Sequence, residues 1–146
     1  MSTIDGVRIK LLREIIGDQG SVIHGLREDD EEYAGFGEAY FSTVEQSKIK
    51  GWKKHKIMKL NLIVVDGEIT FVLYDDRTNS PTYGEFFEAR LSSSKPERLS
   101  VPPRVWMAFK GESKNINKVL NLASTTHDPA EQENMNLDQI NYPWSL

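Results

Sequence analysis

Cysteine is absent from this 146-residue chain, so it has neither a disulfide framework nor a thiolate metal site. No apolar run approaches the roughly 20 residues of a membrane-spanning helix. The opening Met1-Ser2-Thr3-Ile4-Asp5 carries neither the basic stretch nor the apolar stretch of a secretory signal. These three absences together predict a cytoplasmic protein. Basic charge is not in excess either. Eighteen Lys and Arg against 22 Asp and Glu leave a net charge of −4, which argues against nucleic acid as the main partner. Repeats, coiled-coil heptads and low-complexity linkers are also missing.

What is present suits one globular domain over residues 1–146, since 38 % of residues are hydrophobic and 27 % charged. Short strand signals dominate. Residues 7–12 and 37–43 read as strands, with turn chemistry at Asp18-Gln19-Gly20-Ser21 between them. The acidic stretch Asp29-Asp30-Glu31-Glu32 is expected to be a solvated loop. Residues 57–65 form a β-rich run, and Asp66-Gly67 offers a two-residue hairpin turn into the alternating 68–75 segment. Further strands are expected at 86–91, 99–101, 105–109 and 117–123, broken by Ser92–Pro96 and by Pro102-Pro103. Many short strands with turns at regular spacing predict an all-β sandwich or barrel. The closing Tyr142-Pro143-Trp144 is expected to dock as an aromatic lid.

One stretch concentrates charge. Residues 48–59 hold six lysines (Lys48, Lys50, Lys53, Lys54, Lys56, Lys59) and His55. On a strand, alternate lysines either face a cavity mouth and clamp an anion such as pyrophosphate, or guard a solvated edge against aggregation. Asp75, Asp76 and Arg77 either orient a base and hold a sugar hydroxyl or form a turn-flanking ion pair. Trp52, Trp106 and Trp144 are candidates for stacking on a ligand ring and equally for the core. His24 and His127 lie beside turns and read as surface residues.

The order of several segments resembles the dTDP-4-dehydrorhamnose 3,5-epimerases. Lys50-Gly51-Trp52 stands where that family steps from Arg-Gly into its catalytic strand. Asp66-Gly67-Glu68-Ile69 is similar to the turn before its central strand. Asp75-Asp76-Arg77-Thr78-Asn79-Ser80-Pro81-Thr82-Tyr83-Gly84 resembles an Asp-Leu-Arg-x-x-Ser-Pro-Thr-Phe-Gly stretch. Leu91-Ser92, Val101-Pro102-Pro103 and the tail 136–144 follow in order, so the resemblance spans residues 5–144. It implies a cupin-type jelly-roll barrel with short N- and C-terminal extensions. It also implies a homodimer whose N-terminal strands cross to the partner, and a nucleotide-sugar ligand.

The departures fall on the chemistry. The family's catalytic His, two residues after the Gly, is Lys53 here. His55 instead matches the second His of the His-x-His in the related 3,4-ketoisomerases. Asn121 stands at the position of the family's proton-donating Tyr, and the segment around Trp106 replaces a further His motif. The residue that orients the base is either Asp75 or Asp138. Removing a proton beside a C4 ketone requires a base, for which histidine is suited near neutral pH, and stabilisation of the enolate. A lysine base would need burial or neighbouring positive charge. The resemblance therefore implies His55 or Lys53 as base, with Asp75 supporting it and Lys59 supporting the developing charge. Lys50, Lys59, Arg77, Asn121 and Trp106 are the expected ligand contacts. No cofactor is expected, and without a His-x-His pair no metal is. The expected activity is epimerisation or isomerisation of a 4-keto-6-deoxy nucleoside-diphosphate sugar. The alternative is a non-catalytic cupin that binds a nucleotide sugar or glycan.

Overall fold

The computed structural model describes residues 3–145. It is built from short antiparallel strands, with no α-helix among the described residues. In chain order these are β1 (Arg8–Leu11), β2 (Glu14–Gly17), β3 (Gly20–Ile23), β4 (Glu38–Thr43), β5 (Ile49–His55), β6 (Leu60–Asp66) and β7 (Glu68–Tyr74). They continue with β8 (Phe86–Ser92), β9 (Glu97–Val101), β10 (Trp106–Gly111), β11 (Lys118–Ala123) and β12 (Gln132–Asn134). Two 3-10 turns, Pro129–Glu131 and Leu137–Gln139, flank β12. One five-stranded sheet runs β1-β9-β6-β11-β4 and the other β12-β5-β10-β7-β8, while β2 and β3 pair only with each other. The fold is thus the all-β, cupin-type roll that the resemblance implies, with its two sheets facing each other rather than closing into a continuous barrel.

Period-2 alternation explains the core. Leu60, Leu62 and Val64 of β6, Ile69, Phe71 and Leu73 of β7, and Leu99 and Val101 of β9 point between the sheets into one apolar cluster. Val72, Trp106 and Ala108 point the other way, joining Trp52 and Ile140 in a second cluster on the outer face of the β5 sheet. Tyr142 and Trp144 cover that outer face, with Trp144 lying 6.2 Å from Trp52 between ring centroids. The terminal aromatics therefore form a cover over the back of the sheet, not a lid over its interior.

Two local expectations are overturned. Asp66-Gly67 does not close a hairpin, because β6 and β7 belong to different sheets. Gly67, at φ +75°, is a corner where the chain changes sheet. A Cβ there would lie 2.3 Å from the Ile116 carbonyl oxygen, and the Asn117 side chain accepts from the Glu68 amide at 3.0 Å. The acidic loop is not solvated throughout. Arg98, 1 % exposed on the outer face of β9, donates to Glu32 at 2.6 Å, to Asp30 at 3.0 Å and to the Gly25 carbonyl at 2.6 Å. A buried guanidinium needs those acceptors, so it draws the loop down onto the sheet.

Candidate functional site

The site grows out of an irregularity in β5. Lys53 pairs with Met107 and Lys50 with Phe109, so Gly51 and Trp52 together oppose Ala108 in a β-bulge. Glycine is required there, since a Cβ on residue 51 would lie 2.3 Å from the Ala108 Cβ. In a regular strand Lys50 and Lys53, three residues apart, would face opposite ways. The extra residue restores the parity. Lys50, Lys53 and His55 consequently all line one cavity of about 630 Å³ between the sheets, a volume within the range of small-molecule sites.

The opposite wall comes from the other sheet. Tyr40 and Ser42 of β4, Val119 and Asn121 of β11, and Leu60 and Leu62 of β6 face the cavity, while Phe71, Met107 and Phe109 add an apolar floor. Tyr40 and Asn121 are cross-strand partners, and the Asn121 Nδ2 donates to the Tyr40 hydroxyl at 2.9 Å. The Asn121 Oδ1 is buried with no hydrogen-bond partner.

His55 is 6 % exposed, and its Nδ1 is hydrogen-bonded to the Glu131 Oε1. Local sequence explains how Glu131 arrives there. The Asp128 carboxylate caps the turn by accepting from the Ala130 amide at 3.0 Å, and Pro129 sets its first residue. The chain then pairs as β12 with β5, Gln132 opposite His55, which lays the preceding Glu131 across the imidazole. The second carboxylate oxygen accepts from the amides of Ile57 at 3.0 Å and Met58 at 3.1 Å. Burial works to raise the Glu131 carboxyl, but these bonds outweigh it and hold it below the usual carboxylate range. Glu131 is thus ionised at neutral pH and only accepts, so Nδ1 carries the imidazole proton and Nε2 is the basic nitrogen.

The expected site residues divide between this cavity and other places. Lys50, Lys53, His55 and Asn121 come together. Lys59 is not among the cavity-lining residues, and its amide and carbonyl are tied to Ser124. Asp75 is fully buried elsewhere, receiving bonds from the Arg77 Nε at 2.8 Å and from the hydroxyls of Ser80 and Thr82. Burial pushes its carboxyl up, and those donors more than reverse this, holding it well below the usual range. Arg77 also donates to the Asp5 carbonyl at 2.7 Å, so Asp75 and Arg77 staple the N-terminal segment to the loop after β7. Trp106 belongs to the outer-face cluster, with its Nε1 donating to Asp76 at 2.8 Å and the Lys54 ammonium 4.8 Å from its ring centre. Asp138 is exposed and makes no bond to His55. The carboxylate bonded to His55 is Glu131, which the sequence did not single out, and the cavity-lining Tyr40 was not singled out either. Among the described residues no group of three or more His, Asp or Glu side chains converges as a metal site.

Comparison with known proteins agrees with this architecture. Residues 8–146 match the dTDP-4-dehydrorhamnose 3,5-epimerase family. A probable low-salt glycan biosynthesis epimerase of Haloferax volcanii is 25 % identical over 130 residues, covering 88 % of this chain and 83 % of the relative. The crystal structure of a dTDP sugar isomerase from Desulfovibrio desulfuricans superposes with a TM-score of 0.86 at 34 % identity, covering 92 % of this chain and 87 % of the other. A dTDP-4-dehydrorhamnose 3,5-epimerase from Bacillus anthracis gives a TM-score of 0.87 at 18 % identity, over 99 % and 87 % of the two chains. At that identity the likeness speaks for the fold.

Proposed function

Because the chain belongs to the dTDP-4-dehydrorhamnose 3,5-epimerase family, we propose that it epimerises a 4-keto-6-deoxy nucleoside-diphosphate sugar, with His55 as the base. The observation that carries this reading is the His55–Glu131 pair at the wall of the cavity. Glu131 fixes the tautomer and orientation of the ring and stabilises the imidazolium that forms. Nε2 removes a proton from a carbon next to the C4 ketone, and the electron pair moves onto the ketone oxygen as an enolate. Lys53, one strand position pair away on the same wall, supplies positive charge for that oxygen. Lys50, also on that wall, is assigned to the diphosphate. Of the residues expected from sequence, Asp75, Arg77, Lys59 and Trp106 have no part in this scheme. The same reading takes the working form to be a cytoplasmic homodimer.

The test is proton exchange. Incubated with a 4-keto-6-deoxy nucleotide sugar in heavy water, the protein is expected to introduce deuterium at C3, C5 or both, read by mass spectrometry. His55→Ala should slow that uptake by about 10² to 10⁴-fold, the usual contribution of a general base. Tight binding with no uptake would replace the enzyme by a non-catalytic nucleotide-sugar binder. Absence of both binding and uptake over a panel of such sugars would defeat the reading.

A further inference from the structure

Epimerisation needs a second proton-handling group, because the carbon that loses its proton on one face must regain one on the other. The base and its carboxylate lie on the sheet that holds β5. The opposite sheet presents one dissociable hydroxyl of suitable chemistry to the cavity, the phenol of Tyr40 on β4. Tyr40 and Asn121 are paired across β4 and β11, so the Asn121 amide is held directly beside the phenol. The Asn121 Nδ2 donates to the phenol oxygen at 2.9 Å. With that acceptor position filled, the hydroxyl hydrogen is left for another partner, and no protein acceptor takes it among the described residues.

We infer that Tyr40 is a catalytic residue, delivering the proton to the enolate from the wall opposite His55, with Asn121 as its positioning residue. The inference rests on the proposed epimerase reading and names the group that makes the reaction an inversion. The balance closes within the site. His55 takes the carbon-bound proton, and the bonding pair passes to the ketone oxygen. The enolate then collapses, its carbon taking the Tyr40 proton from the other face as the ketone reforms. The phenolate recovers a proton from water and the imidazolium returns one to water, so no oxidant or reductant is involved. The amide hydrogen bond from Asn121 stabilises the charge on the phenol oxygen in the interval. Nothing in the alternation of β4 alone singles out Tyr40. It becomes visible only when β4 is laid beside β11 across the cavity.

The decisive experiment separates exchange from inversion. Wild type and Tyr40→Phe are compared in heavy water with the same 4-keto-6-deoxy nucleotide sugar, with deuterium uptake read by mass spectrometry and product configuration by NMR. The expected result is uptake within a few-fold of wild type for Tyr40→Phe, with formation of the inverted sugar down by 10²-fold or more. Site-specific fluorotyrosine at position 40 preserves the side-chain shape and makes the phenol more acidic. It is expected to move the basic limb of the pH profile for inversion while leaving that for exchange in place. Inversion at the wild-type rate by Tyr40→Phe, or joint loss of exchange and inversion, overturns the assignment of Tyr40 as donor. An unmoved limb with fluorotyrosine does so too. In each of these cases wild-type exchange dependent on His55 leaves the epimerase reading standing. Wild type that binds such sugars without exchange would remove both.

Discussion

At the scale of single residues, the site turns on how a carboxylate is kept ionised in a nearly dry place. Glu131 is 7 % exposed, and its charge is supported by His55 and by the Ile57 and Met58 amides. Its folded pKa is lowered from the ordinary glutamate value of the unfolded chain. The stability it contributes is therefore fully present above that value and disappears as the pH falls through the folded one. Glu131→Gln should cost about 1.5–3 kcal/mol at pH 7, the range for hydrogen bonds to a charged group. Urea titrations should show the gap from wild type narrowing as the pH falls through the lowered folded pKa, where wild type loses the same charge. Deuterium uptake by the variant should fall at neutral pH, since the amide no longer stabilises an imidazolium. A gap that stays constant with pH would mean the carboxylate is not held ionised by these contacts. His55 was legible as a candidate because it sits in a lysine-rich strand with a family motif. Glu131 was not, because it lies 76 positions away and only the pairing of β12 with β5 brings it in. The Asp75 cluster failed in the opposite direction. A local Asp-x-Arg-x-x-Ser-x-Thr spacing is well matched to an acid's surroundings, and the chain uses it to satisfy a buried carboxylate in a loop.

Among the elements, β5 decides what faces the cavity, and it does so through one glycine. The Gly51 backbone lies so close to β10 that a Cβ would meet the Ala108 Cβ at 2.3 Å and its Cα at 3.0 Å. Gly51→Ala should destabilise by about 1–3 kcal/mol, as overpacking does. It should also weaken nucleotide-sugar binding, because straightening the bulge turns Lys50 away from Lys53. Ala108→Gly in the same chain removes the nearer of the two clashes and should restore part of the loss. Melting temperatures and ligand titration of the single and double variants measure both effects. Equal stability of Gly51→Ala and wild type would show that β5 tolerates the added carbon. Most strand positions were legible because period-2 alternation survives any topology, but β2, β3 and β12 were not among the expected strands. Partnership was not legible. Asp66-Gly67 has the composition of a hairpin turn, yet the same φ > 0 glycine serves a chain passing from one sheet to the other, where β6 pairs with β9 and β11 while β7 pairs with β8 and β10. The bulge is equally silent in sequence, since Gly in a strand can mean a bulge, a bend or a close approach.

Over the whole molecule, the two sheets bury their shared core and the outer face of the β5 sheet, while the β2–β3 hairpin stands apart. It pairs with no other strand, and a lone two-stranded hairpin is marginal in water. Its apolar residues are open to solvent: Ile15 is 45 % exposed, Ile16 81 %, Val22 58 % and Ile23 45 %. Leu11, just before it, is 63 % exposed. Ile15 and Val22 share one face of the hairpin and Ile16 and Ile23 the other, and apolar surface exposed on both faces marks an interaction site rather than ordinary surface. The N-terminal crossing that the family resemblance implies would place this surface against the other copy, giving β2 and β3 the packing they lack within one chain. Sedimentation equilibrium of the wild-type protein is then expected to give twice the 16.7 kDa chain mass. Ile16→Lys with Val22→Lys changes only exposed positions of the isolated chain, where substitutions usually cost less than about 0.5 kcal/mol. In a dimer the same lysines bring unpaired charge into an apolar contact and should shift the equilibrium to monomer. A wild-type monomer, or a variant that remains a dimer, would mean that the hairpin is not what joins the copies. Loss of stability alongside loss of the dimer would show further that the hairpin draws its order from the partner, since among the described residues β2 and β3 pair with no other strand and their residues are exposed.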